Sequence, residues 1–179
     1  MPKYIAFLRA INVGGHTVKM DYLKKLFEKM NFEKIETFIA SGNVVFETKS
    51  KTVDSIKKKI ETELERSLGY RVATFIRTAN ELKEVSEYKP FKESDLNNTQ
   101  NCLYIGFLDD QPGKDSQKKV LVLSDEANEF HFYNKELHWL CRKNFSDSGI
   151  SGKTLEKVLG MDTTIRNSTT IKKMATKFS

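Results

Sequence analysis

The chain has 179 residues, of which 39% are hydrophobic and 30% charged, with three prolines and nine glycines. That composition excludes a disordered or fibrous chain and is enough for one large domain or two small ones. The formal charge of +6 and a pI near 9.2 permit an anionic partner without requiring one.

Tyr4 to Leu8 is apolar on both alternating faces, Tyr4, Ala6 and Leu8 on one and Ile5 and Phe7 on the other. A strand covered on both sides reads this way, so it is placed centrally. It runs into a polar loop, Arg9 to His16, that contains Gly14 and Gly15. Leu23, Leu26, Phe27 and Met30 then mark one face of a helix, with Asp21 in its first turn. Lys34 to Ala40 is β-branched and aromatic, hence a strand. Ser41-Gly42-Asn43 is turn chemistry, and Val44 to Thr48 completes a hairpin. Val53, Ile56, Ile60 and Leu64 form the buried stripe of a helix over Thr52 to Leu68, with Gly69 as its stop. Arg71 to Arg77 is a fourth strand.

Strand, helix, strand, strand, helix, strand is the ferredoxin-like βαββαβ unit, an antiparallel sheet in which the first and third strands are neighbours. The end of the first strand and the hairpin turn then lie at one rim. Arg9 to Gly15, Ser41 to Asn43 and the Gly69-Tyr70 pair are expected to converge there. The helices of such a unit cover one face, so the other needs cover from the second half of the chain or a second subunit.

From Thr78 a helix with Leu82 and Val85 inward ends before Pro90. Lys89 to Asn101 is a polar link. Cys102 to Leu108 is a strand and Asp109 to Gly113 a turn. Ser116 to Leu123 is helix or strand. Phe130 to Tyr133 and Glu136 to Leu140 form a hairpin around Asn134-Lys135, and Phe145 to Ser151 is a loop. Helices follow over Ser151 to Leu159 and Ser168 to Lys177, with Arg166 and Asn167 between them. The fold class is therefore α/β (α+β): a ferredoxin-like half over residues 1–88, then a smaller α+β half over 89–179. No repeat stands out.

Cys102 and Cys141 make neither a disulfide framework nor a metal motif, so a reducing cytoplasm is expected. The apolar start is too short for a signal peptide's core or a membrane span.

Three motifs resemble a bacterial family known as domain-of-unknown-function family 1697. They are Tyr4 to Gly15, Ser41 to Phe46, and Leu155 to Gly160 with Thr163 to Asn167. The family usually has Trp after the Arg-Asn pair; here Ser168 follows Asn167. The resemblance implies a two-part α/β protein with a ferredoxin-like first half, and no activity.

The site is expected at the converging rim. Arg9 offers a guanidinium, and Gly14 and Gly15 free loop N–H groups for an anion. Asn12, Ser41, Gly42 and Asn43 add amide, hydroxyl and backbone groups, and Arg166 with Asn167 is a further candidate pair. The same residue types also suit turns and caps. The spacing is not Gly-x-Gly-x-x-Gly and no phosphate-loop lysine motif occurs, so no nucleotide cofactor is expected. If Asn134-Lys135 is a two-residue turn, His131 and His138 are cross-strand neighbours, which a carboxylate or Cys141 could complete as metal ligands. That set is incomplete, and no metal is expected. His16 lies near the rim.

Past Ser151 the basic residues Lys153, Lys157, Arg166, Lys172, Lys173 and Lys177 outnumber the acids Glu156 and Asp162. A phosphate backbone would need such a patch on one surface. Three functions fit: a module binding a small phosphorylated or carboxylate molecule, or nucleic acid; a homodimer built on the open sheet face; and an enzyme using the rim pocket, for which no base, nucleophile or metal set is evident.

Overall fold

In the computed structural model, which describes residues 1–142 and 147–178, strand β1 (Lys3–Leu8) is the centre of the first sheet. It pairs antiparallel with β3 (Asn43–Glu47) and β4 (Thr74–Thr78), and β2 (Glu33–Thr37) completes the order β2-β3-β1-β4. Helices α1 (Met20–Lys29) and α2 (Val53–Leu68) cover one face. Tyr4, Ala6 and Leu8 pack there with Leu23, Phe27, Ile56 and Ile60. Helix α2 stops at Gly69, whose φ of 81° ends it in the left-handed conformation.

Two units emerge: Met1–Lys83 with Met174–Ser179, and Glu84–Lys173. In the first, the face opposite α1 and α2 carries Ile5, Phe7, Val45 and Phe75, all buried. The end of the last helix, α7 (Ser168–Phe178), belongs to this unit from Met174 onward. Lys3 Nζ donates to the Phe178 carbonyl at 2.9 Å, the Phe38 and Phe178 rings meet edge-on at 6.0 Å, and Lys177 pairs with Glu36 at 2.7 Å. The face expected to need cover, from the second half of the chain or from a second subunit, is thus buried within the chain itself.

The second unit takes in the end of helix α3 (Ala79–Glu87) and a short helix α4 (Glu93–Leu96) inside the expected polar link. Next come strand β5 (Cys102–Phe107), helix α5 (Lys114–Leu121), the hairpin β6 (Asn128–Tyr133) and β7 (Glu136–Cys141), helix α6 (Gly152–Leu159) and strand β8 (Thr164–Asn167). Residues 116–121, open between helix and strand in the sequence, are helical. Ser151 caps α6, its hydroxyl accepting from the Thr154 N–H. The loop expected from Phe145 begins outside the described residues. Arg166 and Asn167 are not in an interhelix link: they end β8, an edge strand paired along β5. Four residues are too few to show a strand's alternation, and the ladder that fixes them is non-local.

The second unit repeats the first. Its order is again βαββαβ, and its sheet, β6-β7-β5-β8, matches β2-β3-β1-β4 strand for strand. Tyr4-Ile5-Ala6-Phe7-Leu8 returns as Tyr104-Ile105-Gly106-Phe107-Leu108. Ile5 sits opposite Arg77 and Ile105 opposite Arg166. Leu8 N–H donates to the Gly42 carbonyl at 2.8 Å, and Leu108 N–H to the Lys135 carbonyl at 2.9 Å. Each buried arginine donates from Nη1 to the carbonyl before it, at 2.8 Å for Arg77 and 3.0 Å for Arg166. The expectation of a repeat-free chain is corrected here: five residues and a shared register carry the likeness, and the hairpins and helices between them have diverged.

Candidate functional site

The expected convergence is present in the first unit. Leu8 and Arg9 leave β1 bonded to the two flanking segments, Leu8 N–H to Gly42 O at 2.8 Å and Arg9 N–H to Ala73 O at 2.9 Å. The loop then folds over the hairpin corner. Asn12 Nδ2 donates to Ala40 O at 2.8 Å, and Asn12 Oδ1 accepts from Val18 N–H at 2.6 Å. One amide thus ties the loop to the corner and to its own exit. His16 stacks on Tyr70, their centroids 3.9 Å apart. The Tyr70 hydroxyl is buried without a partner among the described residues, and burial raises its pKa.

The candidate residues at this rim divide into brace and surface. Asn43 is buried and donates to Phe38 O at 3.0 Å and Ser41 Oγ at 3.1 Å. Gly42, at φ 79°, lies so close to Ile11 that an added Cβ would sit 2.9 Å from the Ile11 Cβ. Asn12, Gly42 and Asn43 therefore build the corner. Gly14 and Gly15 have φ of 62° and 87°, and nothing lies within 4 Å of where their side chains would be. Ala10 and Asn12 also take positive φ, 60° and 56°. The loop exposes Gly14 and Gly15, with Arg9 half-buried at its root.

Arg166 and Asn167 belong to the second unit. Arg166 is buried, donates to Thr164 Oγ1 at 2.7 Å, and burial pulls its pKa down to about 10. Asn167 Oδ1 accepts from Thr169 N–H at 2.8 Å, so it caps α7. The basic C-terminal residues do not form one surface within one unit. Lys177 is paired with Glu36 in the first unit, whereas Lys153 and Lys157 line an open basin with Lys119 and Val122 in the second.

The second unit also holds an aromatic and histidine cluster. Asn134-Lys135 is the two-residue turn, and His131 sits directly opposite His138. The Tyr88 hydroxyl is 2.7 Å from His131 Nε2, and the Tyr88 ring stacks on Tyr133 at 3.9 Å. His138 is 0% exposed, and among the described residues neither of its ring nitrogens has a hydrogen-bond partner. Burial, with the neighbouring His131 charge, pushes its pKa down to about 4. Cys141 cannot join the histidines. It lies three positions beyond His138, so strand alternation puts it on the other face, packed with Trp139 and Leu155. Among the described residues no three His, Cys, Asp or Glu side chains are grouped to hold a metal. Tyr88 is the member that sequence did not reveal. It looks like an ordinary helix-end aromatic, and its partners lie more than forty residues away.

Fold and site together define a tandem βαββαβ protein with a braced loop at the end of its first strand. The chain belongs to the family of proteins of unknown function DUF1697, which matches residues 1–138. It is similar in fold to the conserved bacterial protein SP0830 from Streptococcus pneumoniae, with a TM-score of 0.73 at 20% identity, over 99% of this chain and 98% of that one. No curated protein matches it. Among the described residues no helix is long and apolar enough to cross a membrane.

Proposed function

We propose that the first unit is a binding module for a small anionic ligand, a phosphorylated or carboxylate molecule, held at the loop from Arg9 to Gly15. One observation carries this reading. Gly14 and Gly15 are consecutive left-handed residues facing open space, on a loop that Asn12 holds in place. The two glycines sit in a tight turn closed by His16 N–H on the Val13 carbonyl at 3.2 Å, and successive N–H groups in a turn can form a concavity that favours negative charge. Arg9 at the root supplies a full positive charge, and Ser41 adds a hydroxyl at the adjoining corner. Asn12, Gly42 and Asn43 act as positioning residues, because their polar atoms or close packing are already used within the corner. The pair Arg166 and Asn167 serves the second unit instead, as strand end and helix cap.

The experiment is a thermal-shift titration with inorganic phosphate and with sugar phosphates, at constant ionic strength. A ligand that binds only the folded state raises the midpoint by mass action. Arg9→Ala is expected to abolish that rise. A rise that survives the substitution, or equals the rise with chloride, refutes the assignment.

A further inference from the structure

The repeat supplies an internal control for the second unit. One row across the first sheet reads Glu36, Val45, Ile5, Arg77. The matching row of the second reads His131, His138, Ile105, Arg166. Isoleucine and arginine are kept, while an apolar Val45 is replaced by a histidine that is fully buried and unpartnered among the described residues. The first unit shows that this position needs only a small apolar side chain to build the sheet. A buried polar group without a partner is costly and calls for a reason beyond folding.

That reason lies next to it. A cavity of about 420 Å³ opens in the second unit, with Val85, Leu96, Leu103, Ile105 and Ile171 as its apolar lining and Tyr88 as its aromatic one. His138 adjoins two of these lining residues. Ile105 is its ladder partner, and the Tyr88 ring is 5.2 Å from its own. The charges around the cavity balance, Lys89 and Lys172 against Glu87 and Glu93, so the lining favours no net charge in a ligand. A neutral imidazole offers one N–H donor and one nitrogen acceptor.

We infer that this cavity is a second binding site, distinct from the loop of the first unit, for a small uncharged heteroaromatic ring that carries a hydrogen-bond donor beside an acceptor, as a nucleobase does. The Tyr88 ring is the movable wall. Turning it away breaks its bond to His131 and exposes the edge of His138 to the ligand, which then supplies the partners that His138 lacks. An apolar floor, a few convergent polar groups and this volume are what a small-molecule site needs.

Histidine NMR tests this directly, because the chain has three histidines. The full-length protein, labelled at its histidine rings, is titrated with adenine, uracil and benzoate. One ring resonance, identified as the signal missing from His138→Val, is expected to shift saturably with a base. His138→Val should fold, since the first unit carries valine at that register, and should weaken base binding at least tenfold. His138→Gln, which restores a donor and an acceptor, should recover part of that loss. Tyr88→Phe, freed from His131, should bind several-fold more tightly. The inference is overturned if the His138 signal ignores both bases, if His138→Val binds them as well as the parent, if benzoate binds as tightly as the bases, or if Tyr88→Phe binds more weakly. Arg9→Ala leaves these shifts unchanged, which separates this site from the loop.

Discussion

The buried histidine makes stability depend on pH with a sign that can be worked out. His138 has an ordinary pKa near 6.5, and burial pushes it down to about 4 in the folded protein. The unfolded chain therefore binds a proton between those values that the folded chain refuses. Stability from this group is complete above pH 6.5, falls as the pH drops toward 4, and is exhausted below it. A shift of that size corresponds to about 3 kcal/mol. His138→Val removes the term. At pH 7.5 the variant should be about 0–2 kcal/mol more stable than the parent, because two unpartnered polar atoms are gone and valine leaves only a small void. Between pH 7.5 and 4.5 the parent should lose about 2–3 kcal/mol more than the variant does. Other titrating groups are common to both proteins and cancel in the comparison. Urea unfolding followed by circular dichroism at the two pH values measures the difference. Parallel losses in parent and variant would refute the reasoning, since His138 would then have a partner or solvent in the folded state.

Gly42→Ala puts a Cβ 2.9 Å from the Ile11 Cβ at a φ of 79°, and should cost about 1–3 kcal/mol in a urea midpoint. Gly14→Ala carries the positive φ without the clash, so its cost should stay near about 1 kcal/mol; equal losses at both positions would show that Ile11 yields freely. Asn12→Ala removes the bonds to Ala40 and Val18. It should cost about 1–2 kcal/mol and speed amide exchange at Val18 while leaving β1 protected. Arg9→Ala, beyond its effect on phosphate, should change stability by less than about 1 kcal/mol, measured by the same melts.

The first unit was legible because its signals are local. The two-sided apolar run of β1, the helical stripes of α1 and α2, and the Ser41-Gly42-Asn43 corner each identify themselves within a few residues. Their topology then brings Arg9 beside the corner without further information. Strand β8 was missed because Thr164–Asn167 has one turn's length of sequence and takes its identity from β5, sixty residues earlier. The repeat shows in the sequence as two near-identical pentapeptides, but only the shared registers make it more than coincidence. The histidine pair was readable from its turn, whereas the burial of His138 and the approach of Tyr88 depend on packing that no local pattern records. Brace and exposed residues at the rim also look alike in sequence: Asn12 and Gly14 are both loop formers, and only the hydrogen bonds and the open space tell them apart.

Residues 174–178 end a helix that joins a unit begun at residue 1, and this sets the order of events during translation. The first unit's four strands leave the ribosome long before the helix end that meets Lys3, Glu36 and Phe38. At elongation rates of about 5–20 residues per second the delay is on the order of ten seconds. Throughout it Lys3, Glu36 and Phe38 lack the partners that the helix end supplies. Stalling synthesis before residue 174 should leave the amino-terminal half protease-sensitive, and releasing the stall should restore resistance.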